Sequence, residues 1–267
     1  FYDFKHPVEN ANLLKIALQY AQGFNTLIYS FPLDTKIAGK GIVNEGEVST
    51  KLGLKGIPAL AEELQIARDL FILEYTGGKL HIPCISTAHS VKLIADAKKK
   101  GLDVSCSVAV YNLFLTDTIL EEFDTNYKLM PPLRTKNESK ALLKGLKEGT
   151  IDFVTADHTP IEIEGKRVEF DNAEYGSIGL ESTFGMLNML FDVETTIALL
   201  TQGRERYGLE TPLLQIGAKA SLALFEPTTT YMFNEEHVHS YSKNSAVFNQ
   251  KLKGKVIGII SNQKIIM

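Results

Sequence analysis

The sequence of 267 residues has no tryptophan and only two cysteines, Cys84 and Cys106. Because these cysteines form no CxxC motif, the sequence lacks a disulfide framework, which favours a reducing, cytoplasmic setting. No run of about 18 apolar residues is present, so no segment is predicted to cross a membrane. A net charge of -4 and a pI of about 5.9 argue against nucleic acid as a partner. The opening residues, Phe1 to Lys5, resemble neither a signal peptide nor a usual translation start, so we expect an upstream segment.

Short apolar runs alternate along the sequence with amphipathic helical stretches, a pattern that predicts βαβ units around a parallel sheet. Strands are predicted at residues 26–30, 80–85, 104–110 and 153–156. Helices are predicted at residues 8–22, 58–75, 88–100, 117–122, 136–148, 180–190 and 193–200. The predicted strands are apolar almost throughout, as expected for parallel strands buried on both faces. About four such units are half of the number that closes an eight-stranded barrel.

The pattern changes near residue 220. Short strands are predicted at 221–225, 229–233, 256–260 and 264–267, with turns at Glu226-Pro227 and Asn262-Gln263. We therefore predict two parts: a β/α domain at 1–212 and a small β domain at 213–267. The only His-x-His sequence, at 237–239, falls in the second part, where strand alternation would place both imidazoles on one face.

The segment from Phe153 to Pro160 is the most informative for chemistry. A buried strand ends there in Asp157, followed by His158. The carboxyl ends of strands in a parallel barrel face the active site, so Asp157 would lie where the chemistry occurs. Such a carboxylate can bind a metal and accept a proton from metal-bound water. The alternative is an aspartate that caps the following turn.

Collinear motifs along almost the whole sequence resemble the type I dihydroorotases of the amidohydrolase superfamily, with allantoinases and hydantoinases as relatives. The motifs are Asn44-Glu45-Gly46, Gly56-Ile57-Pro58-Ala59, Leu80-His81-Ile82, Pro131-Pro132-Leu133-Arg134, Asp157-His158, Gly176-Ser177-Ile178-Gly179-Leu180-Glu181 and Ser242-Lys243-Asn244. The resemblance implies an α/β fold: the C-terminal half of a TIM-like (β/α)8 amidohydrolase barrel plus a small β-sandwich appendage. It also implies zinc as the cofactor, and hydrolysis of a cyclic amide.

Several positions depart from the pattern that this family shows. Ser30 and Cys84 stand where the family has metal-binding histidines, while Met130 and Ile161 replace a substrate-contacting asparagine and histidine. Asp3 matches one member of an acidic pair at the place where the family has a bridging carboxylate or, in its relatives, a carbamylated lysine. The metal ligands that remain are then Asp157, Asp3 and Cys84, so we expect zinc to be absent or weakly bound. Cys84 is either a thiolate ligand or a buried structural cysteine.

Four further residues carry candidate substrate contacts. Arg134 either binds a carboxylate through two hydrogen bonds or forms a structural ion pair. His158 would orient Asp157 or the substrate. Gly176 and Gly179 fit a loop whose backbone N–H groups approach a ligand, or a turn with positive φ.

Two functions stay open. The first is a dihydroorotase-like protein of pyrimidine biosynthesis with lost or weakened catalysis and a structural or regulatory role. The resemblance implies aspartate transcarbamoylase as its partner, and a homodimer is expected. The second is an active metal-dependent hydrolase of a cyclic amide, which interconverts N-carbamoyl-aspartate and dihydroorotate or acts on an allantoin- or hydantoin-type ring. Asp157 would be its base.

Overall fold

The computed structural model describes residues 1–212 and 214–267. Leu213, the first residue of the predicted second domain, lies outside the described residues. The helices are α1 Ala11–Gln22, α2 Thr35–Ala38, α3 Glu47–Leu52, α4 Ala59–Thr76, α5 Ala88–Lys99, α6 Val110–Phe114, α7 Lys136–Lys147, α8 Ile163–Lys166, α9 Thr183–Leu190, α10 Val193–Thr201 and α11 Gly203–Arg206. The strands are β1 Leu27–Tyr29, β2 Val43–Asn44, β3 Gly56–Ile57, β4 Lys79–Ile82, β5 Val104–Ala109, β6 Phe153–Thr155, β7 Leu222–Met232, β8 Lys251–Ser261 and β9 Lys264–Ile266.

A parallel sheet of four strands, in the order β1-β4-β5-β6, is the centre of the first part. All six residues of β5 are buried, which agrees with the predicted strand burial on both faces. Phe1 extends this sheet beyond β1, because its backbone nitrogen donates to Leu27 O and its carbonyl accepts from Tyr29 N. The predicted α/β alternation is confirmed, and each of the four strands agrees with a predicted one.

The helices supply the core that covers this sheet. Leu14 and Leu18 of α1 and Ile66 and Leu73 of α4 are almost completely buried, and they belong to one cluster with Leu80 of β4. These residues recur at helical spacing, so each helix turns one apolar face to the strands. The burial of that face fixes the strands, and therefore fixes which loops meet at their carboxyl ends.

The second part differs from its prediction at one strand. Residues 221–225 and 229–233 do not form two strands divided by a turn at Glu226-Pro227; they belong to a single strand, β7. The carboxylate of Glu226 accepts hydrogen bonds from Thr228 and Thr229, and the β7–β8 register shifts there. The residues that predicted a turn therefore form a β-bulge within a single strand. In the described residues this part forms one antiparallel sheet, β7-β8-β9.

His237 is likewise not on a strand. It ends a 3-10 turn, Glu235–His237, and its Nδ1 lies 2.6 Å from Asn234 Oδ1. The two imidazoles of the His-x-His sequence therefore do not share a strand face. Among the described residues, no helix has both the length and the apolar character needed to cross a membrane.

Candidate functional site at the barrel mouth

Asp157 lies just beyond the carboxyl end of β6, at the position where the sequence predicted it. Its side chain is 10% exposed, and its backbone adopts a φ of 46°. Lys5 reaches the same place from the loop that follows Phe1: its Nζ donates to Asp157 Oδ2 over 2.8 Å and to Met130 O over 2.5 Å. The Lys5 side chain is 14% exposed. The candidate metal-binding carboxylate is therefore already paired with a cation from its own chain.

Burial raises the pKa of Asp157 above the ordinary range, and the neighbouring Lys5 ammonium opposes that shift. A buried carboxylate requires a partner that compensates the loss of its hydration. Lys5 was not among the predicted site residues. The signal that could have revealed it is a lysine two residues after Asp3, in a segment expected to lie at the barrel mouth.

Cys84 lies beside this ion pair, with its Sγ 4.0 Å from Asp157 Oδ1 and 3.6 Å from Thr155 Oγ1. Burial, reinforced by the charge of Asp157, raises the pKa of the Cys84 thiol to about 12. Metal binding requires the thiolate, which burial therefore disfavours at neutral pH. Of the two alternatives for this cysteine, the geometry favours the buried structural one.

An apolar cluster fills the space around the Cys84 thiol. The cluster consists of Phe31, Cys84 and Ala109, with Leu33 and Met130 packed against it. Phe31 is 2% exposed and comes from the loop after β1, where the resemblance had placed a metal ligand at the preceding residue. We call these five residues the mouth cluster. They give the barrel mouth the packing of a small hydrophobic core.

Ser30 points away from the mouth, towards helix α4. Its hydroxyl donates to Asp69 Oδ2 over 2.5 Å, and the other oxygen of Asp69 accepts from Arg68. Ser30 and Asp69 are each 1% exposed. The family has a metal-binding histidine at this position. Here the serine instead connects the end of β1 to α4 through its hydrogen bond to Asp69.

Asp3 lies on the surface, with a side chain that is 85% exposed. Its carboxylate is 3.8 Å from Nδ1 of His6. The backbone of Phe1 pairs with β1, and in a segment extended along a strand successive side chains point to opposite faces. Tyr2 lies against Tyr29, with ring centroids 4.7 Å apart, so Asp3 is turned away. The structure thus does not bring Asp3 to Asp157.

These positions decide whether the residues fit the zinc that the resemblance implies. A zinc site needs three or more ligands within about 2.3 Å of one point. In residues 1–212 and 214–267, no three His, Cys, Asp or Glu side chains converge in this way. Asp157 is paired, Cys84 is held as a thiol, and Asp3 and Ser30 point elsewhere. The described residues do not fit the metal.

His158 and the predicted glycines form one rigid loop next to the mouth. The Nδ1 atom of His158 accepts from Gly179 N at 3.1 Å and from Leu180 N at 3.3 Å, so its proton resides on Nε2. A Cβ on Gly179 would lie 2.2 Å from Ala156 O, and one on Gly176 would lie 2.7 Å from Thr159 Cγ2. Gly176 has a φ of 148°. Close packing therefore explains both glycines, and the N–H of Gly179 is bound to His158.

Arg134 is directed into the protein, which differs from its predicted role in substrate binding. The residue is 4% exposed. Its guanidinium donates to Ser86 Oγ at 3.1 Å, to Asn44 Oδ1 at 2.8 Å and to Ile57 O at 2.9 Å, and it faces Glu62 at 3.8 Å. With these protein partners the guanidinium has no free pair of donors for a substrate carboxylate. Of the two alternatives, the structural ion pair is the one that the geometry supports.

Glu62 is the acidic centre of this network, and the sequence reasoning missed it. Its carboxylate accepts from Ser86 N at 2.7 Å, Thr87 N at 3.1 Å, Ser90 Oγ at 2.6 Å and the hydroxyl of Ser86. The network joins α4 to the start of α5. Its sequence signal was an acidic residue on the inward face of a predicted helix.

Comparisons with known proteins agree with this fold. The family described as "Dihydro-orotase-like" matches residues 1–90. The dihydroorotase of Pelobacter propionicus is 37% identical over 272 residues, which cover 99% of this chain and 64% of that protein. The dihydroorotase of Geobacter metallireducens is 36% identical over 270 residues, with the same two shares. This chain thus spans about two thirds of the length of the curated relatives that it matches.

Two solved structures show the same architecture. The L-hydantoinase (dihydropyrimidinase) of Arthrobacter aurescens has a TM-score of 0.84 at 20% identity, over 96% of this chain and 60% of that one. The dihydropyrimidinase of Brevibacillus agri has a TM-score of 0.80 at 21% identity, over 95% and 59%. The predicted α/β fold, part of a TIM-like barrel, agrees with these structures.

Proposed function

Because this chain belongs to the dihydroorotase-like family, we propose that it comes from a protein of pyrimidine biosynthesis that has lost hydrolysis and keeps a structural or regulatory role. The observation that carries this proposal is the ion pair between Lys5 and Asp157. Asp157 matches the family's catalytic aspartate, whose role requires free carboxylate oxygens. Here one oxygen accepts a hydrogen bond from an ammonium group that is itself held by Met130 O.

A metal ion and the Lys5 ammonium would compete for the same carboxylate. Two cations about 4 Å apart in a site of low dielectric repel each other by several kcal/mol. The lysine is covalently attached, and its chain is packed at the mouth, so it has the advantage of proximity. Asp157 thus satisfies its charge within the protein, and it is poorly suited to accept a proton from water.

The mouth cluster also supports the proposed loss of hydrolysis, because its apolar residues are poorly suited to bind a polar substrate. A ureido acid or a cyclic imide requires hydrogen-bond donors and acceptors at its polar edges. Met130 and Ile161 are apolar at the two positions where the family contacts its substrate, and Arg134 is occupied by Glu62 and Asn44. Burying polar ligand groups against such a surface is unfavourable.

The retained scaffold suggests what the protein does in place of catalysis. The Arg134–Glu62 network and the His158 loop are both fully hydrogen-bonded, although the residues at the mouth depart from the family's pattern. We propose aspartate transcarbamoylase in the cytoplasm as the partner, because the resemblance implies that degenerate dihydroorotases support that enzyme. The binding test is co-elution of the two purified proteins in gel filtration. Failure to form a complex at micromolar concentrations would remove this partner from the proposal.

The test of lost catalysis uses the protein together with the upstream segment that the sequence predicts, with zinc added during purification. We expect far less than one zinc per chain and no cyclisation of N-carbamoyl-aspartate, while an active dihydroorotase assayed in parallel turns over. The competing hypothesis, an active cyclic amide hydrolase, predicts one or more bound ions and turnover that Asp157→Asn abolishes. That second result would overturn the proposal.

A reverse experiment asks whether Lys5 excludes the metal. In the same protein, Ser30→His and Cys84→His restore the two histidines that the family has at these positions, and Lys5→Gly removes the ammonium group beside Asp157. We expect this variant to retain more zinc than the parent, whereas the two histidine substitutions alone, with Lys5 in place, retain little. Equal zinc retention by both variants would show that Lys5 has no such effect.

A further inference from the structure

An open cavity of about 550 Å³ lies where the first part of the chain meets the antiparallel sheet, away from the barrel mouth. Its walls come from the end of α7, from the end of α9 and from β8. They include Lys147, Asn188, Met189, Phe191, Asp192 and Lys253. We call this space the α9 cavity. Its volume falls within the range of about 300–1,000 Å³ that is typical of small-molecule sites.

Two lysines line the α9 cavity without a carboxylate partner of their own. Lys147 is exposed in the last turn of α7, and Lys253 is half-buried on β8. Neither side chain belongs to an ion pair among the residues that the structure describes. A lysine at the end of a helix complements the helix dipole, which accounts for Lys147. This explanation does not apply to Lys253, because that residue is on a strand.

Asp192 is the carboxylate in the wall of the α9 cavity, and its oxygens are directed to α10. Its Oδ1 accepts from Thr195 N at 2.8 Å, and its Oδ2 accepts from Thr195 Oγ1 at 2.8 Å. These hydrogen bonds cap the helix and hold the pKa of Asp192 below its usual range. The cavity wall therefore carries two positive charges and one negative charge, and this balance favours the binding of an anion.

The side-chain amide of Asn188 is the second feature that indicates a ligand. The residue is 3% exposed. Its Nδ2 donates to Pro227 O at 2.8 Å and to Lys253 O at 3.1 Å, so both amide hydrogens are used. The reversed amide would place its oxygen against two carbonyl oxygens, so the orientation is fixed. In the described part of the chain, Asn188 Oδ1 is buried without a hydrogen-bond partner. An unpaired buried acceptor is unfavourable, and a ligand N–H group would supply the missing donor.

The remaining wall of the α9 cavity is apolar. Met189 is 43% exposed and Phe191 is half-buried, so both present apolar surface to a ligand. Phenylalanine and methionine side chains pack well against a planar ring. A planar ring with an N–H group, joined to an anionic group, would use all three parts of the wall.

The two lysines indicate which anion this ligand carries. A phosphate group at neutral pH has up to two negative charges and three acceptor oxygens, which match two ammonium groups better than a single carboxylate does. We propose that the α9 cavity binds a nucleoside monophosphate. Its phosphate lies between Lys147 and Lys253, and its base packs on Met189 and Phe191. An N–H group of the base donates to Asn188 Oδ1.

The first experiment titrates uridine 5′-monophosphate into the protein, including its predicted upstream segment, by isothermal calorimetry. We expect one site per chain, with a dissociation constant on the order of 10–100 μM. Lys147→Met and Lys253→Met should each raise this constant roughly tenfold, because each removes one phosphate contact. Circular dichroism checks that the variants are folded.

The matched controls are Lys140→Met on α7 and Lys255→Met on β8. Each removes an exposed lysine from the same element as a cavity lysine, but neither lysine lines the cavity. We expect both controls to bind the nucleotide like the parent. Absence of binding at about 1 mM nucleotide overturns the inference. Unchanged binding in both Lys147→Met and Lys253→Met also overturns it, because the nucleotide would then bind elsewhere.

The second experiment varies the ligand and leaves Asn188 intact, because a change at this buried residue could unfold the protein. The uracil base has a single ring N–H, so 3-methyluridine 5′-monophosphate lacks the donor for Asn188 Oδ1. We expect it to bind roughly tenfold more weakly than the unmethylated nucleotide. Uridine and inorganic phosphate, which each contain only part of the ligand, should also bind more weakly.

Equal affinities for the methylated and unmethylated nucleotides would overturn the inference. Inorganic phosphate that binds as tightly as the nucleotide would also overturn it, because the cavity would then be a site for anions alone. Neither experiment measures turnover or zinc, and the α9 cavity contains neither Lys5 nor Asp157. Failure here therefore leaves the proposed loss of hydrolysis untouched.

Discussion

Lys5 Nζ and Asp157 Oδ2 are 2.8 Å apart at the barrel mouth, although 152 residues separate them in the sequence. Both side chains are largely shielded from water, so the two charges depend on each other. We therefore expect this ion pair at the mouth of the barrel to make a measurable contribution to the free energy of unfolding.

Replacing Lys5 with methionine should destabilise the protein by about 3–5 kcal/mol, because it leaves a buried carboxylate without a partner. Combining it with Asp157→Asn should recover part of that loss, since the amide carries no charge. Urea denaturation of the single and double variants measures both effects. Lys51→Met removes an exposed pair with Glu121 and serves as the control, for which we expect no measurable change. A Lys5→Met variant as stable as the parent would show that the pair is not buried in solution.

Arg134→Met should also lower the free energy of unfolding by about 3–5 kcal/mol, because Glu62 would keep its buried charge without the facing guanidinium. The expected result follows from the 3.8 Å distance between the two groups and from their burial. Thermal and urea unfolding provide the measurement. If Arg134 served to bind substrate, the same variant would unfold like the parent.

Gly179→Ala should destabilise the His158 loop by about 1–3 kcal/mol, because the new Cβ would lie 2.2 Å from a backbone oxygen. Gly23→Ala is the matched control: its φ is -61° and its nearest neighbour to a new Cβ is 3.6 Å away. We expect the control to be neutral or slightly stabilising. Hydrogen exchange at Leu180 would report the loosened loop directly, and unchanged protection in Gly179→Ala would contradict the packing argument.

The free energy of unfolding should depend on pH through the buried carboxyl group of Asp69. Burial raises the pKa of Asp69 from 3.8 to about 6, so the folded protein binds a proton more readily than the unfolded chain. The protonated form therefore contributes stability below pH 4, which is lost as pH rises through about 6. The shift corresponds to at most about 3 kcal/mol.

Asp69→Asn removes this titration. We expect the free energy of unfolding of the variant, relative to that of the parent, to be higher at pH 7 than at pH 4.5. Urea unfolding at both pH values measures this difference. Asp96→Asn, at an exposed position, should follow the parent at both pH values. Parallel curves for the parent and Asp69→Asn would mean that Asp69 has an ordinary pKa.

The sequence predicted the repeating elements because their signals are local. β5 was predictable from six consecutive apolar or small residues, and α4 began one residue after Pro58, as helix-start chemistry suggests. The strand division at Glu226 was wrong because a glutamate followed by proline also fits a bulge, and only pairing with β8 distinguishes the two. Local patterns do not contain that pairing information.

The site was less predictable because its contacts join distant segments. Asp157 was predictable from its position at a strand end, and the substitutions at Ser30 and Cys84 were visible in the motifs. The side-chain partner of each residue could not be predicted from the sequence. These partners are Lys5 for Asp157, Asp69 for Ser30 and Glu62 for Arg134. Pairing at such distances depends on tertiary packing, which a single sequence does not specify.

An ammonium group that belongs to the polypeptide cannot be withdrawn by a chelator. Lys5 therefore compensates the charge of Asp157 as soon as the chain has folded, however much zinc the cell supplies. Proteins whose folding is coupled to a bound ion lose the corresponding stability when metal is scarce. A protein with Lys5 in this place would keep the mouth of its barrel assembled under the same starvation.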